Sequence, residues 1–185
     1  MKVHIIVGSV RKNSQGSKVG AWITNVANTH QGIVAELLDL HDWDLPLYNE
    51  AMPPLALDGK YESPIGTEWA AKIATGDAYV FVTPEYNHGY SAAIKNAIDW
   101  IGNEWAGKPA AIVGYSMSPN GGVLGVEQLK PVLTQVKLMQ VSHNMLVRGV
   151  HEAFGEDAQP KDGALATSLN GVLESLVGLQ KKLNS

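Results

Sequence analysis

Five short runs rich in β-branched and apolar residues alternate with five stretches in which apolar residues recur at helical spacing, and this alternation constrains the fold more than anything else in the sequence. The runs are KVHIIVG at 2–8, IVAELLD at 33–39, DAYVFVT at 77–83, KPAAIVGYS at 108–116 and VSHNMLV at 141–147. Between and after them lie Gln15 to Asn28, Gly66 to Thr75, Ser91 to Trp105, Val123 to Leu138 and Gly163 to Leu183. Strands separated by single helices are joined by crossovers, which predicts a parallel sheet covered on both faces.

The helical stripes are explicit. Val19, Trp22, Ile23, Val26 and Ala27 share one face, as do Leu165, Leu169, Val172, Leu173, Leu176 and Leu183. In the third helix Ile94, Ala97, Ile98, Ile101 and Trp105 form the stripe, whereas Trp100 lies about 120° away by the helical period. A tryptophan there points to a partner surface, with Lys95, Asn96 and Asp99 at its rim or on a solvated polar face. Pro131 falls inside the fourth helical stretch and either opens the regular helix or kinks it. The segment from His41 to Pro64, with four prolines between 46 and 64 and interleaved Trp43, Leu45, Leu47 and Tyr48, is long for a plain connection. It reads as a pocket wall, a subunit contact or a cover over the sheet edge.

Composition bounds the function classes. A chain of 185 residues with 45% hydrophobic content supports one substantial core, so residues 1–185 are expected to form a single domain. A net charge of −4 without a Lys/Arg cluster gives nucleic acid no track to follow. No cysteine is present, which removes disulfides, thiolate metal sites and a cysteine nucleophile, so redox chemistry here needs a cofactor. No apolar run approaches the roughly 18 residues of a membrane span, and the short start MKVHIIVGS is not a leader; a cytoplasmic protein is expected. The six histidines show no metal-ligand spacing and no metal site is expected; His88 reads as an exposed loop residue, and His4 and His143, inside strand runs, as satisfied core histidines.

In an open parallel sheet, ligands sit beyond the carboxyl ends of the strands where the winding reverses, so the loops after strands one, three and four are the ones that matter. The first, Gly8 to Ser17, combines hydroxyls, Arg11, Lys12 and the N-terminus of a helix, a combination suited to an anion of phosphate size. Neither GxxxxGK[ST] nor GxGxxG is present, which points to one terminal phosphate and away from a phosphate chain or pyrophosphate. In the second, Pro84 stops the ladder and Glu85, Tyr86 and Asn87 project at the strand end, where backbone and amide groups suit the edge of a flat heterocycle. The third, Ser116 to Gly125, carries enough glycine for backbone to approach a ligand closely.

The segments GSVRKNS at 8–14, PEYNHGYSAAIKNAIDW at 84–100 and NGGVLGVEQLKPVL at 120–133, in this order and spacing, resemble the NAD(P)H-dependent FMN reductase family, the flavodoxin-like group of quinone, azo-dye and chromate reductases. The resemblance spans roughly residues 2 to 147. It implies a flavodoxin-like, three-layer, doubly wound five-stranded parallel sheet of order 2-1-3-4-5 holding non-covalent FMN. By motif position, Ser9, Arg11 and either Ser14 or Ser17 would bind the phosphate. Pro84, Glu85, Tyr86 and Asn87 would contact the ring, and Ser118, Gly121 and Gly122 would flank it. NADPH or NADH would be the electron donor and a small molecule such as a quinone, azo compound, free flavin or chromate the acceptor. The chemistry resides in the flavin, so no catalytic side chain is named. The family's dimers and tetramers imply a homodimer or homotetramer, with the helix after PEYN at the contact. A flavodoxin-type electron carrier is the alternative, although such carriers are typically more acidic and lack an arginine like Arg11.

Overall fold

In a computed structural model describing residues Met1–Ser185, strands β1 (Lys2–Val7), β2 (Val34–Asp39), β3 (Ala78–Pro84) and β4 (Pro109–Tyr115) are joined by helices α1 (Gln15–Ala27), α2 (Pro64–Ala74) and α3 (Ala92–Asp99). Helix α4 (Val123–Gln135), the short strands β5 (Met139–Gln140) and β6 (Met145–Val147), and helix α5 (Gly163–Leu183) complete the chain. All pairings are parallel, in the order β2-β1-β3-β4-β5, with β6 also on β4. The flavodoxin-like order that the family resemblance implies is therefore present. No helix is long and apolar enough to cross a membrane.

Side-chain alternation along the strands makes two cores from one sheet. Val3, Ile5 and Val7 point with Val80, Val82 and Val113 to the face covered by α1 and α5, where they meet Val19, Trp22, Ile23, Leu169, Val172 and Leu176. Ile6, Tyr79, Phe81 and Ile112 point the other way and meet Trp69, Ile73, Ile94, Ile98, Leu129 and Leu133 of α2, α3 and α4. Each such side chain contributes about 1.5–3 kcal/mol on burial, which explains why strands covered on both faces read as nearly continuous apolar runs.

The fifth strand differs from its expected form. After Val141, whose N–H still donates to Ala110 O at 2.9 Å, Ser142 to Asn144 leaves the ladder between β5 and β6, and the Asn144 side chain fills the gap by accepting from Ile112 N–H at 3.1 Å. His143 consequently lies at an exposed break, 3.2 Å from Ser168 Oγ, and is not a core histidine. His4 is fully buried, its Nε2 3.1 Å from Thr75 Oγ1.

Trp100 also departs from expectation, because it is 1% exposed and is no partner surface. The 41–64 segment covers it within the chain: its Nε1 donates to Pro46 O at 2.7 Å and the Tyr48 ring packs edge-on at 5.1 Å. Asn96 clamps the same segment, donating to Leu45 O and Pro46 O at 3.2 and 2.8 Å and accepting from Tyr48 N–H at 3.0 Å. Helix α3 ends at Asp99, with a 3-10 turn at Asn103–Trp105, and α4 starts eight residues before Pro131, so the proline does not open it.

Candidate functional site

The switch in winding lies between β1 and β3, since the chain leaves β1 for β2 on one side and later returns on the other. The crevice so formed receives three loops. After β1, Gly8 N–H donates to Val82 O at 2.9 Å; a Cβ on Gly8 would meet Ile94 Cδ1 at 2.2 Å, so glycine is what lets α3 pack beneath the loop. Asn13 then turns through φ 58°, and Ser14, extended, caps α1 by accepting from Gly16 N–H at 3.0 Å. None of the backbone N–H groups from Val10 to Gln15 donates within the protein. A run of free donors opening a helix is an anion cradle.

Ser9 is buried with its Oγ 2.9 Å from Tyr86 Oη, and the exposed Arg11 holds its guanidinium carbon 5.9 Å from the Tyr86 ring centre. Tyr115, at the end of β4, brings its buried Oη to 3.5 Å from Ser14 Oγ. Burial pushes the Tyr115 phenol pKa up, and the Ser14 and Ser9 hydroxyls pull it partly back. At neutral pH it is a hydroxyl donor. Ser17 faces elsewhere, donating to Asp39 Oδ2 at 2.6 Å.

The second loop is a tight hairpin. Tyr86 and Gly89 exchange two backbone hydrogen bonds of 2.9 and 3.0 Å, with Asn87 and His88 at φ 50° and 66° forming the two-residue turn. Asn87 and His88 are both exposed at its tip. Glu85 turns away from Tyr86, its Oε2 accepting from Leu124 and Gly125 N–H at 2.9 and 3.2 Å. In the third loop, Ser116 and Ser118 share a 2.7 Å hydroxyl contact. Gly121 and Gly122, at φ 66° and 86°, fold this loop down onto Arg148 and the Tyr115 backbone, where a Cβ would meet atoms at 2.9–3.0 Å.

Together the loops enclose a cavity of about 460 Å³, a size ordinary for a small-molecule site. Ser9, Arg11, Ser14, Pro84, Glu85, Tyr86 and Ser118 line it; Ser17, Asn87, Gly121 and Gly122 do not. Its walls also include Asn13, Gln15, Tyr115, Ser116, Met117, Val150 and His151, none singled out from the sequence as site residues. A larger hollow of about 670 Å³ lies beside β6 and the start of α5 and contains none of the residues expected at the site.

The family model described as NADPH-dependent FMN reductase matches residues 1–152. An NAD(P)H-dependent FMN reductase of Schizosaccharomyces pombe is 36% identical over 137 residues, 74% of this chain and 68% of its own length. A quinone reductase of Pseudomonas putida is 36% identical over 128 residues, 65% of this chain and 62% of its own. Among solved structures, FerB, a flavoenzyme NAD(P)H:(acceptor) oxidoreductase from Paracoccus denitrificans, superposes with a TM-score of 0.80 at 33% identity, covering 98% of this chain and 97% of FerB.

Proposed function

The chain belongs to the NADPH-dependent FMN reductase family, and from that premise we propose that the three-loop cavity holds FMN and passes electrons from NADPH or NADH to quinones. The family makes it an oxidoreductase using FMN and NAD(P)H. The observation that carries the siting is the combination, in one cavity at the switch point, of Arg11, Asn13, Ser14 and Gln15, whose backbone N–H groups are free, with the Arg11 guanidinium and the hydroxyls of Ser9, Ser14 and Tyr115.

These residues fit the cofactor. A single phosphate dianion matches one arginine, a helix N-terminus and two or three hydroxyls, whereas a pyrophosphate would ask for a longer cradle. Gly16 keeps the cradle open, because a Cβ there would reach 2.4 Å from Tyr115 Oη. Pro84, Tyr86 and Met117 line the same cavity and offer apolar surface to a planar ring.

Once bound, the flavin supplies hydride acceptance from a nicotinamide and electron donation to the acceptor. The side chains bind and orient. Arg11 supplies the positive charge for the phosphate and the free N–H groups of Asn13, Ser14 and Gln15 its hydrogen bonds, Ser9 holds the Tyr86 ring through its hydroxyl, and the 116–118 loop closes the opposite wall. No side chain is assigned a nucleophilic or proton-transferring role. Azo compounds, free flavin and chromate are further acceptors in this reading, since an accessible ring reduces any of them.

The proposed assembly is a homodimer or homotetramer. Its support is an apolar hollow of about 250 Å³ between Val10, Leu40, Trp43, Leu45 and Ala93, beside which Leu47 is 77% and Val10 52% exposed. Steady-state oxidation of NADPH and of NADH with a quinone tests the activity. Turnover with retained FMN is expected; a flavin-loaded protein that oxidises neither nucleotide is an electron carrier instead.

A further inference from the structure

Helix α4 begins without a cap of its own. Its N-cap is Gly122, in a left-handed conformation and with no side chain to offer, and its first turn holds no acidic residue. The first-turn N–H groups of such a helix need an acceptor, and a negative charge is the favoured one. Glu85 supplies it from another loop: its Oε2 accepts from Leu124 N–H at 2.9 Å and from Gly125 N–H at 3.2 Å.

The two elements touch closely at this point. A Cβ on Gly125 would lie 3.1 Å from Gly89 O and 3.5 Å from Glu85 Cα, so the α4 N-terminus abuts the 85–89 hairpin closely. The β3–β4 ladder runs up to this point, with Glu85 N–H donating to Tyr115 O at 3.1 Å. Glu85 is thus bonded on its backbone to the end of β4, where the third loop departs, and on its side chain to the helix that ends that loop. No other side chain bonds the 84–89 hairpin to the 116–125 segment.

We infer that Glu85, although its residue lines the cavity, is a positioning residue: its carboxylate is a strap that fixes the separation of the two loops forming the ring-binding walls, and acts through Leu124 and Gly125. This deepens the proposed function and rests on its placement of the flavin ring. It also explains a carboxylate at the end of a buried strand, which a plain strand-to-helix turn does not require.

The purified protein is compared with Glu85→Ala, which removes the acceptor, and Glu85→Gln, whose amide oxygen keeps it. Amide hydrogen exchange at Leu124 and Gly125, measured with and without FMN, reports the strap itself. Fluorescence titration with FMN and with riboflavin reports the ring slot. Glu85→Ala is expected to speed exchange at both amides by at least tenfold and to weaken FMN and riboflavin by a similar factor of about ten, the scale of a charge-assisted bond. Glu85→Gln, which keeps an acceptor but not the charge, is expected to restore part of both and to fall between the wild type and Glu85→Ala. Unchanged exchange in Glu85→Ala would overturn the strap. Faster exchange with unchanged riboflavin affinity, or a Gln variant as impaired as the Ala variant, would overturn the positioning role. A wild-type protein that binds neither flavin would sink the proposed function, and would do so whatever the amides report.

Discussion

Gly16 lies directly against Tyr115: a Cβ on the glycine would sit 2.4 Å from the phenol oxygen and 3.1 Å from Cζ. The first turn of α1 and the end of β4 therefore share one contact, beneath the loop assigned to the phosphate. Gly16→Ala should cost about 1–3 kcal/mol through overpacking. Tyr115→Phe should return part of that loss in the double variant, while weakening FMN and not riboflavin. Denaturant unfolding of the four proteins in a double-mutant cycle measures the coupling; strict additivity would show that the two residues do not press on each other.

Ser14 and Ser17, equivalent as candidates in the sequence, face different partners. Ser14 lines the cavity and caps α1, whereas the Ser17 hydroxyl is committed to Asp39. Ser14→Ala is expected to lower FMN affinity several-fold and stability by about 1 kcal/mol, the usual worth of an N-cap. Ser17→Ala should leave FMN affinity within about twofold while losing about 1.5–3 kcal/mol with its bond to a charged group. Isothermal titration and thermal unfolding of both variants decide the matter.

Arg11 is the cation of the cavity, exposed and poised over Tyr86. Arg11→Ala should weaken FMN by tenfold or more and leave riboflavin nearly unaffected, because only the phosphate contact is charge-assisted. Equal losses for the two ligands would move the phosphate elsewhere.

A pH dependence follows from the far end of the sheet. Burial lowers the His4 pKa to about 4, against partial support from Glu36, whose Oε2 lies 3.7 Å from Nδ1; Lys2, Lys72 and Lys108 lower it further. The folded protein holds this imidazole neutral, and the unfolded chain takes up its proton first. Stability should therefore fall as pH drops from about 6.5 through about 4, by about 3 kcal/mol, and the His4 contribution should level off once the folded-state imidazole is itself protonated. Glu36, bonded by Lys72 at 2.8 Å and Lys2 at 3.0 Å, has its pKa lowered to about 2, so its contribution is present above about 4.5 and is lost between about 4.5 and 2. Replacing His4 by Gln should flatten the upper window and leave the lower one in place, as read by denaturant unfolding across pH.

The alternation of strands and helices, the two-faced cover of the sheet and the bounds of α5 are legible because burial leaves a periodic record in one segment at a time, whereas the sheet order follows only from the family resemblance. What spans two segments leaves none. Trp100 lies off its helix's stripe, yet it is covered by Pro46 and Tyr48, about fifty residues earlier, and no local period announces a cover. The break in the fifth strand depends on the Asn144 side chain replacing a backbone rung to Ile112. The motifs point to the three loops that line the cavity, but a tyrosine ending a buried strand reads as core, so nothing local marks Tyr115 as a cavity residue. Glu85 projects at the strand end as expected, but its partners, Leu124 and Gly125, lie 39 and 40 residues ahead.

The most direct test of the account is anaerobic mixing of the FMN-loaded protein with stoichiometric NADPH or NADH, followed by addition of a quinone. Bleaching of the bound flavin's visible band by at least one nucleotide, and its recovery when the quinone arrives, is the predicted result. A bound flavin that neither nucleotide bleaches would contradict the claim that this cavity is the electron-transfer site.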